Sequence, residues 1–106
     1  MGDVKDLSDE EFKDFLEKND LVLVDFFADW CGPCQMVSPV IEKLSEEMEN
    51  VKFAKINVDE NRETPGKFGV MSIPTLLVFK EGKLVDRLTG AFPKQAIEER
   101  LKKFLE

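Results

Sequence analysis

Apolar residues follow two spacings along the chain, one typical of strands and one typical of helices. Residues 21–28, LVLVDFFA, are almost continuously apolar, as in a strand that a parallel sheet buries on both faces. A second strand is predicted over residues 51–58. Residues 75–80 and 83–89 predict two further strands, and Glu81-Gly82 between them predicts a hairpin turn.

Four other segments are predicted to be helices, and in all but the third of them apolar residues lie three or four positions apart. They begin near Ser8, Cys31, Asp59 and Pro93. In the first, Ser8 and Glu11 have the spacing of a capping box. The second contains Pro39, which should kink it. The third is predicted to be short and to cover residues 59–68.

The predicted order of elements is helix, strand, helix, strand, helix, strand, strand, helix, in one domain of residues 1–106. The first half of the sheet is expected to be parallel with right-handed connections, whereas the hairpin makes the last two strands antiparallel. The sequence therefore predicts an α/β fold. Its central mixed sheet of four to five strands is flanked by four helices on both faces.

Composition and charge narrow the classes of partner and compartment. A net charge of −7 argues against binding to nucleic acid or to an anionic membrane, because both require a basic surface. The first sixteen residues are rich in charge and lack the apolar run of a signal peptide. The run at residues 21–28 is too short to cross a bilayer. We expect a cytoplasmic protein.

Charged residues make up 35% of the chain, which favours a thermostable protein held by ion pairs.

The two cysteines stand two residues apart in Trp30-Cys31-Gly32-Pro33-Cys34. Thiols at this spacing can close a small ring and reopen it, and in the cytosol such a pair is more often catalytic or metal-binding than structural. A purely stabilising disulfide is a weaker alternative, since so short a loop gains only about 2 kcal/mol. A zinc half-site in a dimer is weaker too, because the chain has no histidine.

The cysteine pair lies where a buried strand passes into a helix. Cys31 should lie at or near the N-cap, where free N–H groups and the helix dipole favour a thiolate and so lower its pKa. Cys34 lies three residues on, on the same helix face. Since Cys31 should be the more exposed, it is the predicted nucleophile and Cys34 the resolving thiol. Gly32 would allow close approach by another chain, and Pro33 would restrict the open dithiol.

Asp25 interrupts the apolar strand at residues 21–28. A carboxyl group buried there would have a raised pKa and would be neutral near pH 7. It would then be a candidate general acid or base for Cys34 during exchange. The alternative is an aspartate at a strand end that reaches solvent.

The pentapeptide WCGPC, after a buried strand and before a helix with an internal proline, resembles the active site of the thioredoxin family. The resemblance covers the whole chain. It continues through Val24-Asp25-Phe26, Gly69-Val70, Ile73-Pro74-Thr75 and Gly90-Ala91. It implies the thioredoxin fold and a thiol–disulfide oxidoreductase, a general protein disulfide reductase acting by dithiol–disulfide exchange through Cys31 and Cys34.

Further roles are implied by the resemblance alone. Pro74 is expected to be cis beside the disulfide, the backbone of Ile73 to pair with a substrate strand, and Lys55 to be the charge partner of Asp25. An apolar docking surface is expected from Trp30, Gly32, Pro33, Ile73, Pro74, Gly90 and Ala91. The chain departs from the family pattern at Phe27, where many members have tryptophan, and at Gln35, where lysine or arginine is usual.

The resemblance also implies partners. Thioredoxin reductase would recharge the pair with electrons from NADPH, and the substrates would be disulfide-bearing proteins such as ribonucleotide reductase, peroxiredoxin and methionine sulfoxide reductase. We expect a monomer with no bound cofactor and no metal.

Three other functions compete with the reductase. A glutaredoxin usually has Cys-Pro-Tyr-Cys, and an oxidase or isomerase of the protein disulfide isomerase type usually has histidine in place of Pro33, so the motif argues against both. The third is a redox-independent binding module or accessory subunit built on the same fold. That alternative stays open at the level of the sequence.

Overall fold

A mixed sheet with helices on both faces is formed by residues 2–105, the part of the chain that this computed structural model describes. In chain order the elements are β1 (Val4–Asp6), α1 (Asp9–Lys18), β2 (Leu21–Phe27), α2 (Gly32–Glu47), β3 (Lys52–Asn57), α3 (Glu63–Lys67), β4 (Thr75–Lys80), β5 (Lys83–Thr89) and α4 (Lys94–Lys102). The strand order is β1-β3-β2-β4-β5. β1 and β2 run parallel to β3, whereas β4 is antiparallel to β2 and β5. The predicted α/β fold is confirmed.

β2 is the central strand, with β3 on one side and β4 on the other. Its residues from Leu21 to Phe26 are buried, as the apolar run predicted. Asp25 lies opposite Lys55 of β3 and Leu76 of β4. The one carboxyl group of this strand is therefore held in the middle of the protein.

Each face of the sheet carries its own apolar core. On one face α2 and α4 pack on the sheet through the buried residues Val37, Ile41, Leu44, Ile97 and Leu101. On the other face α1 contributes Phe12 and Leu16, and the rings of Phe12, Phe68 and Phe79 pack with centroids 5.2–5.6 Å apart. Full burial of each large apolar side chain contributes about 1.5–3 kcal/mol, so the two cores hold helices on both faces.

Two local features predicted from neighbouring residues, the capping box and the hairpin turn, are both present. Ser8 Oγ accepts a hydrogen bond from Glu11 N at 3.3 Å, and Glu11 Oε1 accepts one from Ser8 N at 3.1 Å, which completes the capping box. At the hairpin both Glu81 (φ 52°) and Gly82 (φ 82°) adopt left-handed backbone, as a type I′ turn requires. The predicted turn between β4 and β5 is therefore confirmed.

The predicted helix over residues 59–68 begins too early, because α3 covers only Glu63–Lys67. Asn57 Oδ1 accepts a hydrogen bond from Asp59 N at 2.9 Å, which folds this stretch into an Asx turn instead. The C-terminal end agrees with the prediction, since Gly69 follows α3 with φ +64°. At the last helix Pro93 is the N-cap, so α4 begins one residue later.

The sheet has two edge strands of different character. β1 has only three residues, of which one is apolar, so it carries no periodic signal and was not predicted. β5 is mostly exposed, and its pairing with β4 contains a register shift between Val78 and Phe79.

Candidate active site

The cysteine pair lies at the first turn of α2, immediately after the central strand. Cys31 is the N-cap, with extended backbone (φ −87°, ψ 110°), and Cys34 lies one turn on with a Cα–Cα distance of 5.3 Å. A disulfide bond joins them. Cys31 Sγ also accepts a hydrogen bond from Cys34 N at 3.2 Å, and Pro33 lies in the first turn, where its missing N–H costs nothing. The predicted N-cap position is confirmed.

Both sulfur-bearing residues are buried, with exposed fractions of 4% for Cys31 and 2% for Cys34. The expected difference in exposure is therefore wrong for the disulfide form. The reason is that Val58, just after β3, and Ile73, just before β4, pack against the pair. The two cysteines differ in position rather than in exposure: one caps the helix, and the other lies within it.

The segment before β4 lies over the disulfide. The Ile73–Pro74 peptide bond is cis, as expected, and the carbonyl oxygen of Ile73 lies 3.9 Å from Cys31 Sγ. Gly90 N donates a hydrogen bond to Pro74 O at 2.8 Å, and Thr75 Oγ1 donates one to Ser72 O at 2.7 Å. These contacts bring Ile73, Pro74 and Gly90 together with the cysteine pair.

Trp30 is 72% exposed beside the disulfide, and its indole is held in place from one side. Nε1 of Trp30 donates a hydrogen bond to Asp59 Oδ2 at 2.8 Å. Asp59 was not predicted as a site residue, although Asn57 and Asp59 have the spacing of an Asx turn that would place it at the end of β3.

The predicted docking residues do not all reach the surface. Gly32, Pro33 and Ala91 are exposed, Ile73 and Gly90 are partly exposed, and Pro74 is buried. Two further apolar side chains nearby in sequence, Met36 and Met71, are exposed.

Asp25 has 2% of its surface exposed, so the alternative of a solvent-reaching carboxylate is wrong. Among residues 2–105, its Oδ1 atom has no hydrogen-bond partner. Burial raises the pKa of Asp25 to about 7, even though the positive charge of Lys55 acts to lower it. The carboxyl group therefore exchanges a proton near neutral pH.

Lys55 and Phe27 lie next to each other beside the site. Lys55 Nζ is 5.6 Å from the centroid of the Phe27 ring, within the range of a cation–π contact. Phe27 also packs against the cluster of Ala28, Cys31 and Cys34. This aromatic position thus contributes packing. Gln35 is exposed, and its Nε2 donates a hydrogen bond to Asp29 O at 3.4 Å, so it adds no charge at the start of α2.

Residues 2–105 hold neither a metal-binding cluster nor a membrane-spanning helix. In that part of the chain no group of three or more histidine, cysteine, aspartate or glutamate side chains is arranged to hold a metal ion. No helix within the same range has the length and apolar character needed to cross a membrane.

Comparison with known proteins identifies the family. The thioredoxin family model matches residues 3–103. The chain belongs to the thioredoxin family. Among relatives, the thioredoxin of Listeria monocytogenes serovar 1/2a is 50% identical over 103 residues, which cover 96% of this chain and 99% of that protein.

Solved structures give the same result for the thioredoxin fold. A mutant thioredoxin from Halobacterium salinarum superposes with a TM-score of 0.93 at 38% identity, covering 98% of this chain and 92% of that one. A second structure comes from work on thiol resolution in yeast mitochondrial 1-Cys peroxiredoxin via the glutathione/thioredoxin systems. It has a TM-score of 0.87 at 33% identity, covering 94% of each chain.

Family membership and the cysteine pair together establish the chemistry. The protein is a thiol–disulfide oxidoreductase, and thioredoxins are disulfide reductases. Its partners as a class are a thioredoxin reductase and disulfide-bearing substrates. The alternative of a redox-independent binding module is not favoured.

Proposed function

We propose that this thioredoxin is a general protein disulfide reductase of the cytoplasm, which works as a monomer and is recharged by an NADPH-dependent thioredoxin reductase. The supporting observation is the Cys31–Cys34 disulfide at the start of α2, with the Ile73 carbonyl oxygen 3.9 Å from Cys31 Sγ. The domain is taken as residues 1–106. No bound cofactor or metal is part of the proposal.

In the proposed cycle the reduced dithiol donates two electrons to a partner protein. The Cys31 thiolate attacks one sulfur of the partner disulfide, forms a mixed disulfide and releases the other sulfur as a thiolate. Cys34 then attacks Cys31 Sγ, which closes the Cys31–Cys34 disulfide and releases the reduced partner. The N–H of Cys34, which lies 3.2 Å from Cys31 Sγ, favours Cys31 as the nucleophile because it stabilises a thiolate more than a thiol.

The proposed docking surface surrounds this disulfide. A substrate strand would pair with the backbone of Ile73, whose side chain is partly exposed, and would contact the exposed residues Trp30, Gly32, Pro33 and Ala91. Pro74 and Gly90 would support this surface from below, since Gly90 N bonds to Pro74 O. Gln35 leaves the start of α2 without the usual cation, so we expect it to affect which partners dock.

Asp25 is the proposed proton carrier for Cys34, and Lys55 tunes it through its positive charge. We expect Asp25→Asn to slow the resolving step, because an amide cannot accept the thiol proton. The measurement is the rate of disulfide reduction from pH 6 to pH 9, with the parent protein showing a transition near pH 7 that the variant lacks. Unchanged rates across this range would contradict the role.

Ribonucleotide reductase, peroxiredoxin and methionine sulfoxide reductase are the proposed substrate proteins. The similarity to a chain studied with 1-Cys peroxiredoxin supports the peroxiredoxin class in particular.

We also propose that the protein is thermostable. Six ion pairs among the described residues support this, and one of them, Arg100 Nη2 to Asp86 Oδ1 at 2.6 Å, joins α4 to β5. A melting temperature within the ordinary range of about 45–65 °C would contradict it.

A redox titration of the Cys31–Cys34 pair tests the proposed direction of electron flow. We expect a potential near the value typical of thioredoxins, about −270 mV, because Pro33 replaces the histidine of the oxidising members. A potential near −120 mV would mark an oxidant and overturn the proposal. Reduction of insulin disulfides with NADPH and a thioredoxin reductase then checks the recharging step.

A further inference from the structure

α3 leads directly into the segment that lies over the disulfide, yet it is too short to hold its own position. It has five residues, Glu63–Lys67, fewer than an isolated helix needs for stability in water. Only six residues separate its end from Pro74. The placement of the Ile73 carbonyl oxygen therefore depends on what holds the ends of α3.

The N-terminal end of α3 is held by a side chain from α1. Asp9 Oδ1 accepts hydrogen bonds from Thr64 N at 2.9 Å and from Thr64 Oγ1 at 2.7 Å, and Oδ2 accepts one from Glu63 N at 3.1 Å. Burial alone would raise the pKa of Asp9, but these hydrogen bonds outweigh it and hold the pKa below its ordinary value. Charge-assisted bonds of this kind are stronger than neutral ones.

The C-terminal end is held by a side chain from β5. Arg87 Nη2 donates a hydrogen bond to the carbonyl oxygen of Phe68, the C-cap of α3. Arg87 lies opposite Leu77 in the register of β5 with β4. Because β4 begins at Thr75, directly after Pro74, the same strand pair carries both Arg87 and the end of the segment that Arg87 ties down.

After α3, further hydrogen bonds hold the chain as far as the start of β4. Val70 N donates to Pro65 O at 2.8 Å, Thr75 Oγ1 donates to Ser72 O, and Gly90 N donates to Pro74 O. The Phe68 ring is packed against Phe12 and Phe79. Among these anchors, Arg87 is an exposed side chain that reaches α3 from a separate element.

We propose that Arg87 and Asp9 are positioning residues for disulfide exchange: they hold the two ends of α3, and so keep the Ile73 backbone in place beside Cys31 for a protein substrate. This inference rests on the proposed pairing of a substrate strand with Ile73. It predicts an effect on extended protein substrates and none on small disulfides, which need only reach the sulfur.

The test compares Arg87→Ala with the parent on two disulfides, insulin and 5,5′-dithiobis(2-nitrobenzoate). We expect KM for insulin to rise about 3- to 10-fold, because the variant loses one hydrogen bond that holds α3 in place. The kcat for insulin should stay unchanged. The rate with the small disulfide and the potential of the cysteine pair should also be unchanged.

Arg100→Ala is the matched control, because it removes the same charge beside the same strand by breaking the ion pair with Asp86 without touching α3. Arg87→Lys should hold KM nearer to that of the parent than Arg87→Ala does, since its ammonium group is a donor only one bond shorter than the guanidinium. Asp9→Asn is a second variant that loosens the other end of α3, and it should raise KM for insulin in the same way.

The outcomes separate this inference from the proposed function. If the parent reduces insulin through Cys31 but Arg87→Ala has the KM of the parent or of Arg100→Ala, the positioning role is overturned and the reductase stands. An equal loss on both substrates would also overturn it, because general destabilisation would then explain the result. If the parent itself fails to reduce insulin, the proposed function fails first.

Discussion

Replacing Asp25 with asparagine is expected to stabilise the folded protein far more at pH 9 than at pH 4. The buried carboxyl group has a pKa of about 7 in the folded state, against 3.8 for an ordinary aspartate. At about 1.4 kcal/mol for each pKa unit, this difference corresponds to a change on the order of 4 kcal/mol in the free energy of unfolding. Few single substitutions have so large an effect.

The direction follows from which state binds the proton. Between pH 3.8 and about 7 the folded parent holds a proton on Asp25 that the unfolded chain has lost. The contribution of Asp25 to the free energy of unfolding is therefore fully present below pH 3.8, falls as the pH rises, and is lost above pH 7. The asparagine variant does not titrate, so its stability relative to the parent grows over that window.

Denaturant unfolding of the disulfide form at several pH values measures the effect. Comparing the change with pH, and not the value at one pH, cancels any fixed cost of burying the amide. Asp6→Asn is the matched control, since Asp6 is an exposed aspartate on β1. A constant difference between parent and Asp25→Asn from pH 4 to pH 9 would contradict a raised pKa for this carboxyl.

Cys31→Ser and Cys34→Ser are expected to abolish turnover in different ways. Without Cys31 the nucleophile is missing, so reduction of insulin should fall to the uncatalysed background. Without Cys34 the first attack still occurs, but nothing displaces the bound substrate, so a mixed disulfide with Cys31 should accumulate in a one-to-one complex. This difference follows from the N-cap position of Cys31 and the place of Cys34 within α2.

Non-reducing electrophoresis and intact mass measure the trapped complex, and insulin precipitation measures turnover. The double variant, which should neither turn over nor trap, serves as the control. Trapping by Cys31→Ser rather than by Cys34→Ser would reverse the assigned roles. If Cys31→Ser kept the full biological effect of the parent, the redox-independent binding function would be favoured instead.

Features that depend on near neighbours could be predicted from the sequence. The capping box of Ser8 and Glu11 and the hairpin turn at Glu81 each involve residues no more than three positions apart, and both are present. The burial of Asp25 was also predictable, because its neighbours in β2 are apolar on both faces. Short-range patterns therefore accounted for most of the sheet and for the position of the cysteine pair.

Features that depend on distant contacts could not be predicted. The start of α3 is set by a turn at Asn57 and by Asp9, which is 55 residues from Thr64. The burial of Cys31 depends on Ile73, and no local pattern near either residue indicates that they meet. The same holds for the bond between Arg87 and Phe68, which joins residues 19 positions apart.

The two edge strands bear on how the protein behaves at high concentration. An open edge of a sheet is a template for pairing with another chain, and this is a common route to aggregation. Here one edge is the three-residue β1, and the other, β5, carries charged residues such as Lys83, Asp86 and Arg87 beside a register shift. Both edges are therefore poor templates. The molecule can expose apolar side chains around its disulfide while its sheet stays protected from edge-to-edge association.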